Sequence, residues 1–162
     1  YLSIPYGHKF PEDVKAERER KGQISTVYTC CTEAFPNIFT FSDPAEATWT
    51  TLHAIAGGYD GYLRWAVNSW TSDPLRDSRF RTWAAGDTYN IYPGPRSSIR
   101  FERLVEGIQD CEKIRILRKE LKGGKLDKLN KAVSMFTPEG LSETQKSAAE
   151  MVNELNKLLN SL

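Results

Sequence analysis

The spacing of apolar residues along this chain shifts from alternation to a rhythm of threes and fours, and each shift predicts an element. Leu2-Ser3-Ile4 alternates as a short strand. Ser25 to Cys30, rich in β-branched and aromatic residues, is a second strand, and Tyr62 to Val67 is a third. A charged helix opens at Phe10-Pro11-Glu12-Asp13 and stops near Gly22. Another has Asp43 as its cap, Pro44 at its first position and Glu46 three residues after the cap; Trp49, Leu52 and Ile55 share one face, and Gly57-Gly58 ends it. Strand–helix–strand order with short connections predicts parallel β/α units.

From Asn68 to Ser98 the pattern is irregular. Arg81 to Ala84 and Thr88 to Tyr92 predict a small hairpin around Gly86-Asp87, broken by Pro93-Gly94-Pro95. A long helix follows from about Ile99 to Lys122. Leu104, Ile108, Cys111, Ile114, Leu117 and Leu121 line its apolar face, and Gly123-Gly124 stops it. A second tail helix carries Leu126, Leu129, Val133 and Phe136. Thr137 to Gly140 reads as a turn, and Ser142 with Gln145 as the capping box of a last helix striped by Ala148, Val152, Leu155, Leu159 and Leu162. All aromatic residues except Phe136 lie between Tyr1 and Phe101. The chain therefore divides into a β/α body, residues 1–122, and a helical tail, residues 123–162, packed on the same domain.

Strand alternation also sorts side chains by face. In the third strand Leu63, Trp65 and Val67 form an apolar, helix-facing set, with Trp65 and Trp49 as core; Tyr62, Arg64, Ala66 and Asn68 face inward. In the second, Val27 faces the helices, and Thr26, Tyr28 and Cys30 face inward. In β/α barrels the site lies at the C-terminal strand ends, on the loops that follow. Those ends carry Tyr28, Arg64, Asn68 and Trp70, and the long loop adds Trp83, Asp87, Tyr89 and Tyr92. A loop of about thirty residues is usually functional. Aromatic faces beside Asn, Asp and Arg suit a sugar, whose C–H face stacks while its hydroxyls take hydrogen bonds. The candidate substrate-binding residues are Tyr28, Arg64, Asn68, Trp70 and Asp87. For Arg64 two roles stay open, a buried ion pair or a substrate contact. His8 and His53 read as surface or packing residues, and Arg96 to Arg103 as a solvated mixed-charge face.

Composition narrows the function classes. The 162 residues suffice for one ordinary domain, but a complete eight-stranded barrel typically needs about 250. With 22 Lys and Arg against 21 Asp and Glu, the net charge is +1, which argues against nucleic-acid or polybasic membrane partners. No apolar run nears the roughly 20 residues of a membrane span. Cys30, Cys31 and Cys111, an odd set with an adjacent pair, read as small buried residues rather than a disulfide framework. There is no P-loop, dinucleotide fingerprint, paired metal-ligand motif, G-x-S-x-G elbow or Asn-x-Ser/Thr site, so no cofactor or metal is implied. From these residues alone the chain is part of an α/β protein with a sugar-like site.

An ordered set of phrases goes further: Tyr28-Thr29-Cys30-Cys31, Pro36-Asn37, Asp60-Gly61-Tyr62-Leu63-Arg64-Trp65-Ala66, Asn68-Ser69-Trp70, Asp73-Pro74-Leu75, Gly86-Asp87-Thr88, Tyr92-Pro93-Gly94, Ser97-Ser98-Ile99-Arg100 and Glu106 to Asp110. Together they resemble the C-terminal part of glycoside hydrolase family 123, over about residues 1–120. The resemblance implies the C-terminal portion of a (β/α) barrel with a helical tail, and a parent acting on terminal β-N-acetylgalactosaminides or related N-acetylhexosaminides. It implies retention by substrate assistance, in which the substrate's acetamido oxygen attacks the anomeric carbon. A Glu serves as acid/base and an adjacent Asp orients the acetamido group. No Asp-Glu dipeptide occurs here, and Glu12-Asp13 runs in reverse at a helix start. The catalytic pair is thus expected upstream, with no catalytic residue in this segment. Its partners are an N-acetylated glycan and the remainder of the parent barrel; a bacterial periplasmic or secreted parent is expected from the resemblance. A carbohydrate-binding module and a helical interaction module are the alternatives.

Overall fold

The structure is a computed structural model that describes residues 1–79, 82–94 and 96–162. Three parallel strands, β1 (Leu2–Pro5), β2 (Ser25–Tyr28) and β3 (Gly61–Leu63), pair in the order β1-β2-β3. Leu2 sits opposite Ser25, Pro5 opposite Tyr28, and Tyr28 opposite Leu63. Helix α1 (Glu12–Arg20) links β1 to β2, and α2 (Ala45–Ala56) links β2 to β3. Four more helices follow the long loop: α3 (Ile99–Glu120), α4 (Gly124–Ser134), α5 (Pro138–Thr144) and α6 (Ala148–Leu159).

Helix α2 is the axle. Trp49 and Leu52 are fully buried, and Thr48, Thr50 and Thr51 are buried with them. Their hydroxyls donate to the carbonyls of Arg103, Glu46 and Thr48, so each of these three buried hydroxyls has a partner. The start of α2 matches the sequence: Ala45 donates to the Asp43 carboxylate, Asp43 donates back to Glu46, and Pro44 already has helical φ −54° and ψ −28°. Around α2 lie Cys111 and Ile114 of α3, Leu129 and Val133 of α4, Phe136, and Met151, Val152, Leu155 and Leu159 of α6. A smaller cluster of Phe10, Val27, Ala54 and Tyr59 packs on one face of the sheet, which puts Val27 on the helix-facing side as expected.

Helices α2 and α3 approach closely at Gly107. A Cβ there would sit 2.0 Å from Thr51 Oγ1 and 3.0 Å from the Thr48 backbone. The buried side of α3 is therefore Arg100, Gly107, Cys111 and Ile114. Ile108, assigned to the apolar face, is exposed; the close backbone approach turns the helix about Gly107, and hydrophobicity alone does not reveal that.

Other expectations shift. β3 stops at Leu63 instead of Val67, because its partner β2 ends at Tyr28 and the ladder has no further donor. Thr137 to Gly140 is no free turn: Thr137 accepts from Gly140 N–H and caps α5. Ser142 lies inside α5, and the capping box of α6 is Ser147 with Glu150. The predicted hairpin does not form among the described residues. Thr88 to Asn90 instead return to the chain after β3, through an Asn68–Tyr89 bridge and bonds from Ser69 to Thr88 and Asn90 to Val67. Arg81 and Pro95 of that expectation fall outside the described residues. No described helix is long and apolar enough to cross a membrane.

Candidate functional site

Parallel strands bring their C-terminal ends to one edge, and the loops leaving that edge converge on Arg64. It is the first residue past β3, with its side chain 3 % exposed. Nη1 donates to the Thr29 carbonyl and hydroxyl, both at 3.1 Å, and to Asn37 Oδ1 at 2.8 Å. Nη2 meets Asp87 Oδ1 at 2.6 Å, and Nε and Nη2 both donate to the Asp87 carbonyl. One guanidinium thus ties the loop after β2, the end of β3 and the long loop. Of the two roles open in the sequence, the structure forms the buried ion pair.

Asp87 is fully buried and its other oxygen accepts from the Trp65 indole N–H at 3.2 Å. Burial pushes its carboxyl above the usual carboxylate value, against the pull of Arg64 and the indole N–H. The preceding Gly86 has φ +84°, and a Cβ there would lie 2.5 Å from Arg100 Nη1 and 2.9 Å from Thr40 N. A side chain there would be strained in backbone and blocked in space.

Asn37 is completely satisfied. Its amide donates to the carbonyls of Cys30 and Glu33, and its oxygen accepts from Ile38 N–H and Arg64. Glu33 closes the same loop on Cys30 N–H at 2.6 Å and the Thr32 hydroxyl at 2.8 Å. Burial opposes its charge, but these hydrogen bonds together hold its carboxyl below the usual value. Thr29 and Tyr62 share a hydroxyl contact of 2.7 Å.

The feature missed from sequence is Trp65. Alternation placed it in the core, yet it is 48 % exposed. The strand ends two residues earlier, so alternation no longer governs it. With its N–H held by Asp87, the ring stands against Trp83 at 5.3 Å and 62°. A fixed, half-open indole beside a second indole is a platform for the C–H face of a sugar. The strand-ending position of Arg64-Trp65 was the available signal.

The other candidates spread around this centre. Trp70 is 39 % exposed and donates to the Ile91 carbonyl at 2.8 Å. Asn68 is exposed, in the bridge to Tyr89. Tyr28 is half-buried at the end of β2. Among the described residues no hydrogen bond joins Tyr28, Asn68 or Trp70 to the Arg64–Asp87 pair.

Two side-group expectations need correcting. Cys111 is buried, but Cys31 is exposed and Cys30 half-buried, because both follow the last paired residue of β2. Arg100 is not solvated: it is 5 % exposed, and Nη1 donates to the carbonyls of Ile38, Gly86 and Tyr89. His53, by contrast, is the packing residue expected, stacked on Trp49 at 5.5 Å with its Nδ1 on the Phe136 carbonyl. No group of three or more His, Cys, Asp or Glu among the described residues could hold a metal ion.

The profile described as glycoside hydrolase 123, catalytic domain, matches residues 1–117. A solved family 123 glycoside hydrolase from Clostridium perfringens, from work on glycolipid glycan hydrolysis, superimposes with a TM-score of 0.78 at 24% identity. The match covers 98% of this chain and 32% of that one, so the chain spans about a third of the relative's length. No curated protein matches.

Proposed function

The chain belongs to the glycoside hydrolase 123 catalytic-domain family, and on that premise we propose that it supplies part of the sugar pocket of a retaining, substrate-assisted β-N-acetylgalactosaminidase. In this reading the three parallel strands are late units of a (β/α) barrel. Residues 1–122 are the barrel part, and residues 123–162 a tail of the same domain. The Asp-Glu pair comes from outside these residues, since the sequence holds no such dipeptide.

The observation that carries the reading is Trp65, half-exposed at the C-terminal edge of the sheet and fixed by the buried Asp87. Its open face receives the sugar's apolar face, while Trp70, Asn68 and Tyr28 contribute from the surrounding loops. Arg64 holds the pocket's shape through Asp87, Thr29 and Asn37. An acid/base Glu would act across this platform, and its neighbouring Asp would stabilise the charge growing on the acetamide nitrogen.

The test is hydrolysis of a chromogenic β-N-acetylgalactosaminide by the full-length protein and by these 162 residues alone. Activity in the full-length protein only is expected, with Trp65→Ala lowering kcat/KM by about tenfold or more, the order of one aromatic stacking contact. A folded full-length protein inactive on this and related aryl hexosaminides would reject the proposal. Activity in the 162 residues would show that the acid and base lie within them.

A further inference from the structure

Beyond the Trp65 platform, the long loop forms a second concavity of about 350 Å³ between Pro74 to Ser78 on one side and Tyr92, Arg96 and Ser97 on the other. Arg76, Arg96, Ser78, Ser97 and Tyr92 line it, with Leu75 as an apolar wall; no carboxylate lines it among the described residues. Arg76 is weakly engaged, 3.7 Å from Asp73 with its side chain 88% exposed. Arg96 donates from Nη1 to the Pro93 carbonyl at 2.7 Å, and among the described residues its Nε and Nη2 have no side-chain or carbonyl partner.

A third guanidinium adjoins Tyr89, the neighbour of the cleft's Tyr92. Arg100 sits over the Tyr89 ring at 5.6 Å, and Tyr89 packs edge-on to Tyr92 at 5.4 Å. Arg100 donates to three backbone carbonyls and pairs with no carboxylate among the described residues, and its Nη2 is without a hydrogen-bond partner there. An unneutralised buried cation adds positive potential to the cleft.

We propose that this cleft binds an oxyanion, a sulfate ester or a carboxylate, carried by the glycan whose neutral sugar lies on Trp65; this rests on the glycosidase reading above. Guanidinium forks and neighbouring hydroxyls are the donors that such oxygens take. Reach is sufficient. Tyr92 lies five residues beyond Asp87, which holds the Trp65 indole, so the backbones at Asp87 and Tyr92 are at most about 18 Å apart. Trp70, half-exposed, is bonded to Ile91, the residue before Tyr92. The acidic group makes the substrate class an acidic oligosaccharide rather than a neutral one.

Calorimetric titration of the full-length protein tests this, using a neutral N-acetylgalactosamine-containing oligosaccharide, its sulfated form and its sialylated form. At least one acidic form should bind about tenfold or more tightly than the neutral one, the worth of one or two charge-assisted hydrogen bonds. The gain should shrink as salt rises. The sulfated and sialylated arms separate the two oxyanions. Arg76→Gln/Arg96→Gln, shown by thermal unfolding to be folded, should bring the acidic form to the neutral form's affinity. Equal affinities in the wild type, a preference surviving the double substitution, or no binding of any acidic form overturns the proposal. An arginine-dependent acidic preference in a protein that fails to hydrolyse the chromogenic substrate would uphold the cleft and remove the glycosidase reading instead.

Discussion

Replacing Arg64 by Met isolates the buried pair at the centre of the site. The substitution keeps the length of the stem and deletes a guanidinium that contacts Asp87, Thr29 and Asn37 at 2.6–3.3 Å. What remains is a fully buried carboxylate whose other side-chain partner is the Trp65 N–H. Breaking a buried pair by removing one member typically destabilises by about 3–5 kcal/mol. That is a large share of the roughly 5–15 kcal/mol that holds a domain folded. At this chain size it lowers Tm by roughly 10 °C. Urea unfolding at neutral pH measures it directly. A second signature is its pH dependence. Burial already pushes Asp87 up, and Arg64 opposes that shift; without Arg64 the folded-state value rises further. The folded variant then binds more protons than the unfolded chain, so its deficit shrinks as pH falls. Arg64→Met/Asp87→Leu removes both charges and should be less destabilising than the two single changes summed, by about 2 kcal/mol. A deficit below about 1 kcal/mol for Arg64→Met, or strict additivity in the cycle, would refute the view that this pair locks the three loops.

Three further outcomes test other parts of the fold. Burial holds His53 below its ordinary value, outweighing the Phe136 carbonyl and the Glu139 charge. The folded protein therefore binds fewer protons there than the unfolded chain: this stability is complete above about pH 6.5 and is lost as pH falls towards the folded value. His53→Gln should flatten the acid limb of the stability curve, measured by unfolding at stepped pH; an unchanged limb would contradict the assignment. Gly107→Ala drives a methyl into Thr51 and should destabilise by about 1–3 kcal/mol, whereas an unchanged Tm would mean that the α2–α3 crossing is looser than it stands. Ser147→Ala should remove about 1 kcal/mol through the α6 cap, while Ser142→Ala should stay within about 0.5 kcal/mol; the reverse order by thermal unfolding would restore Ser142 as the cap.

The sequence was most legible where a signal is local. Asp43-Pro44 and Glu46 mark the start of α2, Gly57-Gly58 its end, and Gly123-Gly124 the α3–α4 junction, because capping and backbone freedom act within a few residues. It was misleading where two local signals compete. Ser142 with Gln145 and Ser147 with Glu150 both satisfy the capping pattern, and Thr137's own cap placed the first pair inside or at the end of α5.

By itself the sequence determined the β/α order, the shift from an aromatic body to a helical tail, and the family phrases, since these depend on composition and neighbours along the chain. Tertiary structure alone decided which polar and aromatic groups became the site. Alternation assigned Trp65 to the core, but the ladder ends at Leu63 and Asp87, more than twenty residues away, holds the ring half in solvent. A mixed-charge pattern assigned Arg100 to solvent, but three carbonyls from two loops enclose it. Both outcomes rest on contacts between segments far apart in sequence. Periodicity carries no information about such contacts, because it records only which way a side chain points relative to its own element.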